Sequence, residues 1–294
     1  MAVNAWICWP RLWQSFWHDE NYPLHHAIVG TYQAQSDGSL RLKPVSWQAT
    51  FFFYRKPNHT FYSALARACN DLWRLVTKPT GLQFSEPVIR LPTYLAGIGS
   101  IASIALLLNE LEFPLAGVLA AFLSALHPWH IRYASEARAY AFVLFLLPLV
   151  LVFFLRALGD GRWRWWLAFG ASQFFLMYSY PTCLYFFIVL NACALPIICW
   201  RWGTSSDALT QVMRLVVMNV FAAMWFLPLM LPCVPQFLAY VQGTSGQGRL
   251  EPQWVINFLA HLLGGVPWRY RGHSEVGSLE FASWFSAIPS LSSS

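Results

Sequence analysis

The chain has 294 residues, of which 57% are hydrophobic and only 11% charged, and its formal net charge is +6. Soluble domains carry about a quarter charged residues, so this composition, with a mean hydropathy of +0.43, excludes an ordinary soluble protein and points to a polytopic membrane protein. The small positive excess implies no nucleic-acid partner, and the 16 Trp, 12 Tyr and 23 Phe suit side chains placed at membrane–water interfaces.

In chain order, Trp6, Trp9, Trp13 and Trp17 recur at three- and four-residue steps, one face of a helix. Pro10 interrupts them, so they read as a short interfacial segment, and no secretory leader is evident. The acidic pair Asp19 and Glu20 follows, then Tyr22, His25 and His26. Residues 58–78 have helical periodicity but carry Arg67, Asn70, Asp71 and Arg74. A mid-bilayer Arg or Asp costs about 2.5–3.5 kcal/mol, so this stretch predicts an amphipathic interfacial helix. Apolar runs at 91–108, 115–129, 139–158, 165–178, 184–200 and 215–240 approach the length of a span. The expectation is an all-α membrane protein: a bundle of about six transmembrane helices with a large outer loop carrying amphipathic interfacial helices. Residues 1–90 form that loop, 91–240 the bundle, and 241–294 a second outer loop rich in glycine.

Arginine placement orients the scheme. "RALGDGRWR" holds Arg156, Arg162 and Arg164, and "RWGTSSDALTQVMR" holds Arg201 and Arg214; basic loops stay cytoplasmic. Counting from them puts 1–90, "HIRYASEAR", "YSYPT" and everything after Tyr240 outside. The acidic "NELEFP" at 109–114 falls on the cytoplasmic side, where acidic residues carry little weight.

Four pieces carry chemistry. Asp19 and Glu20 are either solvated surface carboxylates or a general base whose pKa rises by partial burial beside Phe16, Trp17 and Tyr22. "HPWHIRYASEARAY" concentrates His127, His130, Arg132, Glu136 and Arg138 between two apolar runs. Those charges face water, a cavity or one another, and the plain alternative is an Arg132–Glu136 pair at i,i+4. His127 and His130 alone make a weak metal signal. Arg55, Lys56 and His59 precede the interfacial helix, where anchoring to anionic lipid competes with a phosphate-binding role. Asn58-His59-Thr60 also matches a glycosylation acceptor. Arg90 opens the first clear span. The six cysteines include no CxxC pair, and four lie in apolar runs, so neither a disulfide framework nor a zinc site follows.

Taken in order, "FWHDENY", "PNHTFYSALAR", "EPVIRLPTYLAGI" and "AAFLSALHPWHIRYASEARAYAFVLFL" resemble the GT-C superfamily of integral-membrane glycosyltransferases. The resemblance is to the bacterial family-39-like branch that includes protein mannosyltransferases and rhizobial lipopolysaccharide-core transferases, and covers about residues 15–160. It implies a polyprenyl-phosphate-linked sugar as donor, an acceptor hydroxyl on a glycan, lipid or protein, and inverting transfer at the outer face of a bacterial cell membrane. It names no cofactor, though relatives leave room for a divalent cation. By position, Asp19 matches the family's acidic base with Glu20 beside it; Arg90, Glu136, Arg138, His59, Lys56 and Arg132 match or neighbour positions for donor phosphate or substrate. The family begins with a full span before its acidic pair and its members are longer, so the expectation is a chain lacking that span and stopping near an outer loop. A transporter or lipid-handling membrane protein without transferase activity is the alternative class, and an inactive transferase fragment is a third; charges at the outer edge rather than mid-span disfavour transport.

Overall fold

A computed structural model of the chain describes residues 1–54, 58–80, 83–203 and 205–243. α1 (Ala2–Cys8) runs into a 3-10 turn, Trp9–Trp13, then α2 (His18–Pro23). A hairpin follows, β1 (Gly30–Ala34) against antiparallel β2 (Leu40–Pro44), with Gly30 opposite Pro44 and Ala34 opposite Leu40. Gly30 has φ +132° and a Cβ there would sit 2.1 Å from the Lys43 carbonyl oxygen, so only glycine fits. Then come α3 (Trp47–Phe52), capped by the Ser46 side chain accepting from the Ala49 N–H, and α4 (Thr60–Thr77). The expected interfacial helix is α4. It buries Tyr62, Ser63, Ala66, Arg67 and Asn70, one face at three- and four-residue steps, and leaves Leu72, Leu75 and Val76 exposed.

The bundle comprises α5 (Glu86–Glu110), α6 (Pro114–Leu126), α7 (Pro128–Ser135), α8 (Tyr140–Asp160), α9 (Trp163–Ser179), α10 (Leu184–Trp202), α11 (Ser206–Met230) and α12 (Val234–Gly243). Prolines fix several starts: Pro87, Pro114 and Pro128 each lie in the first helical positions, where the missing N–H is no loss. α5 packs on α6 and α8, α8 on α9, α9 on α11, and α11 on α10. The core between them holds Val150 and Phe154 of α8 and Trp166, Phe169 and Leu176 of α9. Asn191 and Asn219 exchange side-chain amide bonds of 3.2 and 2.8 Å, tying α10 to α11.

The helical membrane architecture stands; six spans are not seen among the described residues. Among the described residues, four helices are long and apolar enough to cross a membrane: α5, α8, α10 with its preceding turn, and α11 continuing to Tyr240. The expected span at 115–129 is broken, because His127 precedes Pro128 and is held extended (ψ 127°), out of the helical region. α6 and α7 therefore meet at a 67° bend and make a fifth span only if counted together. α9, with 17 residues, reaches about 25 Å, short of a ~30 Å hydrocarbon core.

Residues 90 and 110 lie at opposite ends of α5, about 30 Å apart. Glu110 accepts from Arg156 Nε at 2.8 Å and Arg214 donates to the Gly161 carbonyl, so the arginine-bearing loops and "NELEFP" share one end. That pairing accounts for acidic residues in a loop grouped with basic ones.

A Cβ on Gly97 would lie 2.3 Å from Ala134 Cβ: α5 and α7 touch through their backbones. Gly97→Leu is expected to destabilise by about 1–3 kcal/mol, lowering the thermal midpoint in detergent by several degrees. Gly159→Ala, where nothing lies within 4 Å, should leave it equal or raise it.

Candidate functional site

At the end opposite the basic loops, the chain builds a clasp from three distant segments. Glu20, the third residue of α2, is 2% exposed, and Arg90, in the second turn of α5, is 3% exposed. Arg90 Nε donates to Glu20 Oε1 at 2.9 Å and Nη2 to Oε2 at 2.7 Å, a two-pronged pair. The Ala137 N–H donates to Oε1 at 2.6 Å and the Trp17 N–H to Oε2 at 3.2 Å. The remaining guanidinium N–H groups go to carbonyls of Arg11, Leu12, Gln14 and Ser15, and Phe16 lies 4.6 Å beneath. These carbonyls belong to the 3-10 turn and the residues just after it, and that of Arg11 also accepts from the Gln14 N–H at 3.3 Å. Arg90 is thus fully engaged. The expected phosphate contact is not open to it in this arrangement, and both carboxylate oxygens of Glu20 are taken up by four hydrogen bonds.

Asp19 differs in every respect. It is half-buried, and its carboxylate makes no hydrogen bond or ion pair among the described residues. Its backbone carbonyl accepts from Arg138 Nη1 at 2.9 Å, which brings together residues 119 apart in sequence. Arg138 Nη2 lies 3.4 Å from the Tyr140 hydroxyl. Arg138 forms no ion pair among the described residues, and its Nε is buried without a partner.

Around Arg138 stands an aromatic wall. Tyr140 packs at 4.9 Å from Tyr133 and 6.0 Å from Tyr180. His59, which opens α4, stacks on Tyr180 at 5.4 Å and meets Tyr140 edge-on at 5.5 Å. Burial first, then the Arg138 charge, pushes the His59 pKa down to about 3, and a backbone hydrogen bond with Ser179 acts the other way. His59 is therefore neutral. It can supply a hydrogen bond but no positive charge, and its buried Nε2 has no partner among the described residues.

Arg132 and Glu136 form the local i,i+4 ion pair, and the Arg132 guanidinium lies 5.2 Å from the Trp17 ring and 5.3 Å from that of Trp129. Burial raises the Glu136 carboxyl above its ordinary range while Arg132 opposes the shift. Seven of the eight expected residues thus gather at one end of the bundle: Asp19, Glu20, His59, Arg90, Arg132, Glu136 and Arg138. Lys56 lies outside the described residues. Asn58, buried and bonded to the Thr50 carbonyl and to Ser63, is poorly placed to accept a glycan.

Sequence reasoning passed over Tyr133 and Tyr180; the signal was present in "YSYPT", where a proline stops α9 beside two tyrosines. His130 is structural: its Nε2 lies 2.7 Å from Ser100 Oγ and its Nδ1 3.4 Å from Asn4 Nδ2. Among the described residues, no three of His, Cys, Asp and Glu come together as metal ligands. Comparison of the chain with family models, curated proteins and solved structures returned no match.

Glu20→Gln should cost about 3–5 kcal/mol, because it leaves a buried guanidinium uncompensated, and should expose the first fifteen residues to limited proteolysis. Asp19→Asn should change stability by less than about 0.5 kcal/mol. His59 contributes a pH dependence of definite sign. Its folded pKa lies below the ordinary ~6.5, so the unfolded chain binds the proton first and stability is lost as pH falls below about 6.5. His59→Phe should flatten the acid limb of a stability–pH profile between pH 7 and 5 by about 2 kcal/mol.

Proposed function

We propose that this protein is an integral-membrane glycosyltransferase of the GT-C kind, moving a sugar from a polyprenyl-phosphate-linked donor to an acceptor hydroxyl. The observation that carries this reading is the Asp19–Arg138 juxtaposition: a half-buried carboxylate that has no partner among the described residues, joined through its own carbonyl to a guanidinium that has no carboxylate partner among them. One is placed to take a proton, the other to receive an anion.

In this scheme the acceptor hydroxyl gives its proton to Asp19 as its oxygen attacks the anomeric carbon. The bond from that carbon to the phosphate oxygen breaks, and a single displacement inverts the centre. The departing lipid phosphate needs no proton near neutral pH, and Arg138 meets its growing charge. Tyr133, Tyr140 and Tyr180 offer ring faces to the sugar. Glu20 and Arg90 act on neither reactant; they hold the 11–20 segment so that Asp19 stays in place. The Arg132–Glu136 pair serves the same end by fixing the turn that carries Arg138. The positive-inside rule assigns the arginine-bearing end to the cytoplasm and this site to the outer face of a bacterial cell membrane.

A second reading, lipid handling without transfer, draws support from the bent α6–α7 pair, since broken helices recur in transporters. One assay separates the two. Membranes carrying the full chain, incubated with radiolabelled polyprenyl-phosphate sugars, should yield labelled product. Asp19→Asn should cut the rate about 10²–10⁴-fold, and Arg138→Met should do so at least 10²-fold, with both variants folded. Transfer by Asp19→Asn at the wild-type rate would remove Asp19 from the mechanism.

A further inference from the structure

We propose that the groove between α9 and α11, at the end of the bundle remote from Asp19, is a binding site for an anionic phospholipid. The groove has a volume of about 410 Å³ and is lined by Trp163, Leu209, Thr210, Met213, Arg214 and Val217, within the ~300–1,000 Å³ range of ligand sites. Residues 209/210, 213/214 and 217 recur at helical spacing. They form one stripe on α11 about 12 Å long, running from its second turn into the span. Leu209, Met213 and Val217 are exposed along it and supply an apolar track of acyl-chain character.

The polar end of the track is cationic. Arg214 reaches back toward the helix ends, where one Nη1 bond goes to the Gly161 carbonyl and the guanidinium lies 5.4 Å from the Trp163 ring. It forms no ion pair among the described residues, and its Nε and Nη2 have no described partner. Arg162 and Arg164 flank Trp163, both exposed and likewise without an ion pair among the described residues. Two acidic residues are near in sequence. Asp160 accepts from the Trp165 indole N–H at 3.1 Å, and Asp207 lies in the first turn of α11.

A soluble anion would have no use for the apolar stripe, and a neutral lipid none for the uncommitted guanidinium. An acidic phospholipid uses both, with phosphate at Arg214 and Thr210 and a chain along Leu209, Met213 and Val217. Basic clefts between transmembrane helices hold anionic headgroups in this way, and an arginine that extends its stem along apolar surface to the interface suits the depth.

The test uses the purified full chain in neutral detergent, read by tryptophan-detected thermal unfolding and by native mass spectrometry. Phosphatidylglycerol should raise the midpoint by several degrees and be retained about tenfold better than phosphatidylcholine. Arg214→Gln should lower phosphatidylglycerol retention about fivefold or more. Because Arg214 also caps α8, Met213→Trp, which fills the groove and leaves that cap intact, should do the same. Phosphatidylglycerol retained equally by wild type and Met213→Trp would overturn the assignment. So would equal retention of the two lipids, or displacement of phosphatidylglycerol by excess inorganic phosphate.

Discussion

The paired charges of Glu20 and Arg90 are the constraint on which the site end depends. Both are nearly inaccessible, and ions withdrawn from water persist only when their hydrogen-bonding capacity is met. Meeting it recruits the carbonyls left by the 3-10 turn, the N–H of Ala137 and the start of α2. Three segments that share no sequence neighbourhood are thereby forced into one register. Once Ala137 is fixed, its neighbours Glu136 and Arg138 are fixed too, one bonded to Arg132 and the other to the Asp19 carbonyl.

This explains why two adjacent carboxylates diverge. On α2, successive residues point about 100° apart, so Glu20 faces α5 while Asp19 lies half-exposed at the rim. That rotation is what sets a fully bonded acid beside a half-exposed one on the same helix. His59 shows the same logic in a base: aromatic burial and the neighbouring Arg138 remove its charge, concentrating positive potential on the arginine.

Much of this was legible in the sequence, for a definite reason. In a chain with so few charges, each ionic residue near an apolar run must be accommodated, so Asp19, Glu20, Arg90, Glu136 and Arg138 stood out as a set. Their convergence followed from counting spans between them. What could not be read was which carboxylate faces inward, since that depends on the phase of a six-residue helix. The bonding of Arg90 was hidden for a different reason: its partners are mostly backbone carbonyls, and no side-chain pattern announces them. The hairpin at 30–44 was signalled by Asp37-Gly38 between two alternating runs, yet its polar strands read as loop. Pro128 likewise marked the α6–α7 break, but an apolar average runs straight across one proline.

The clasp also imposes an order on biogenesis. Its contributors lie at positions 20, 90 and 137, so a chain emerging from the ribosome carries an unfinished ion cluster until residue 137 has been made. Glu20 meets Arg90 first, and the Ala137 N–H completes the cluster only when the turn before α8 arrives. Correct threading of the first hydrophobic helices is thus a prerequisite for closing the clasp, and a nascent chain in which α5 alone failed to insert would leave Asp19 and Arg138 on different sides of the lipid.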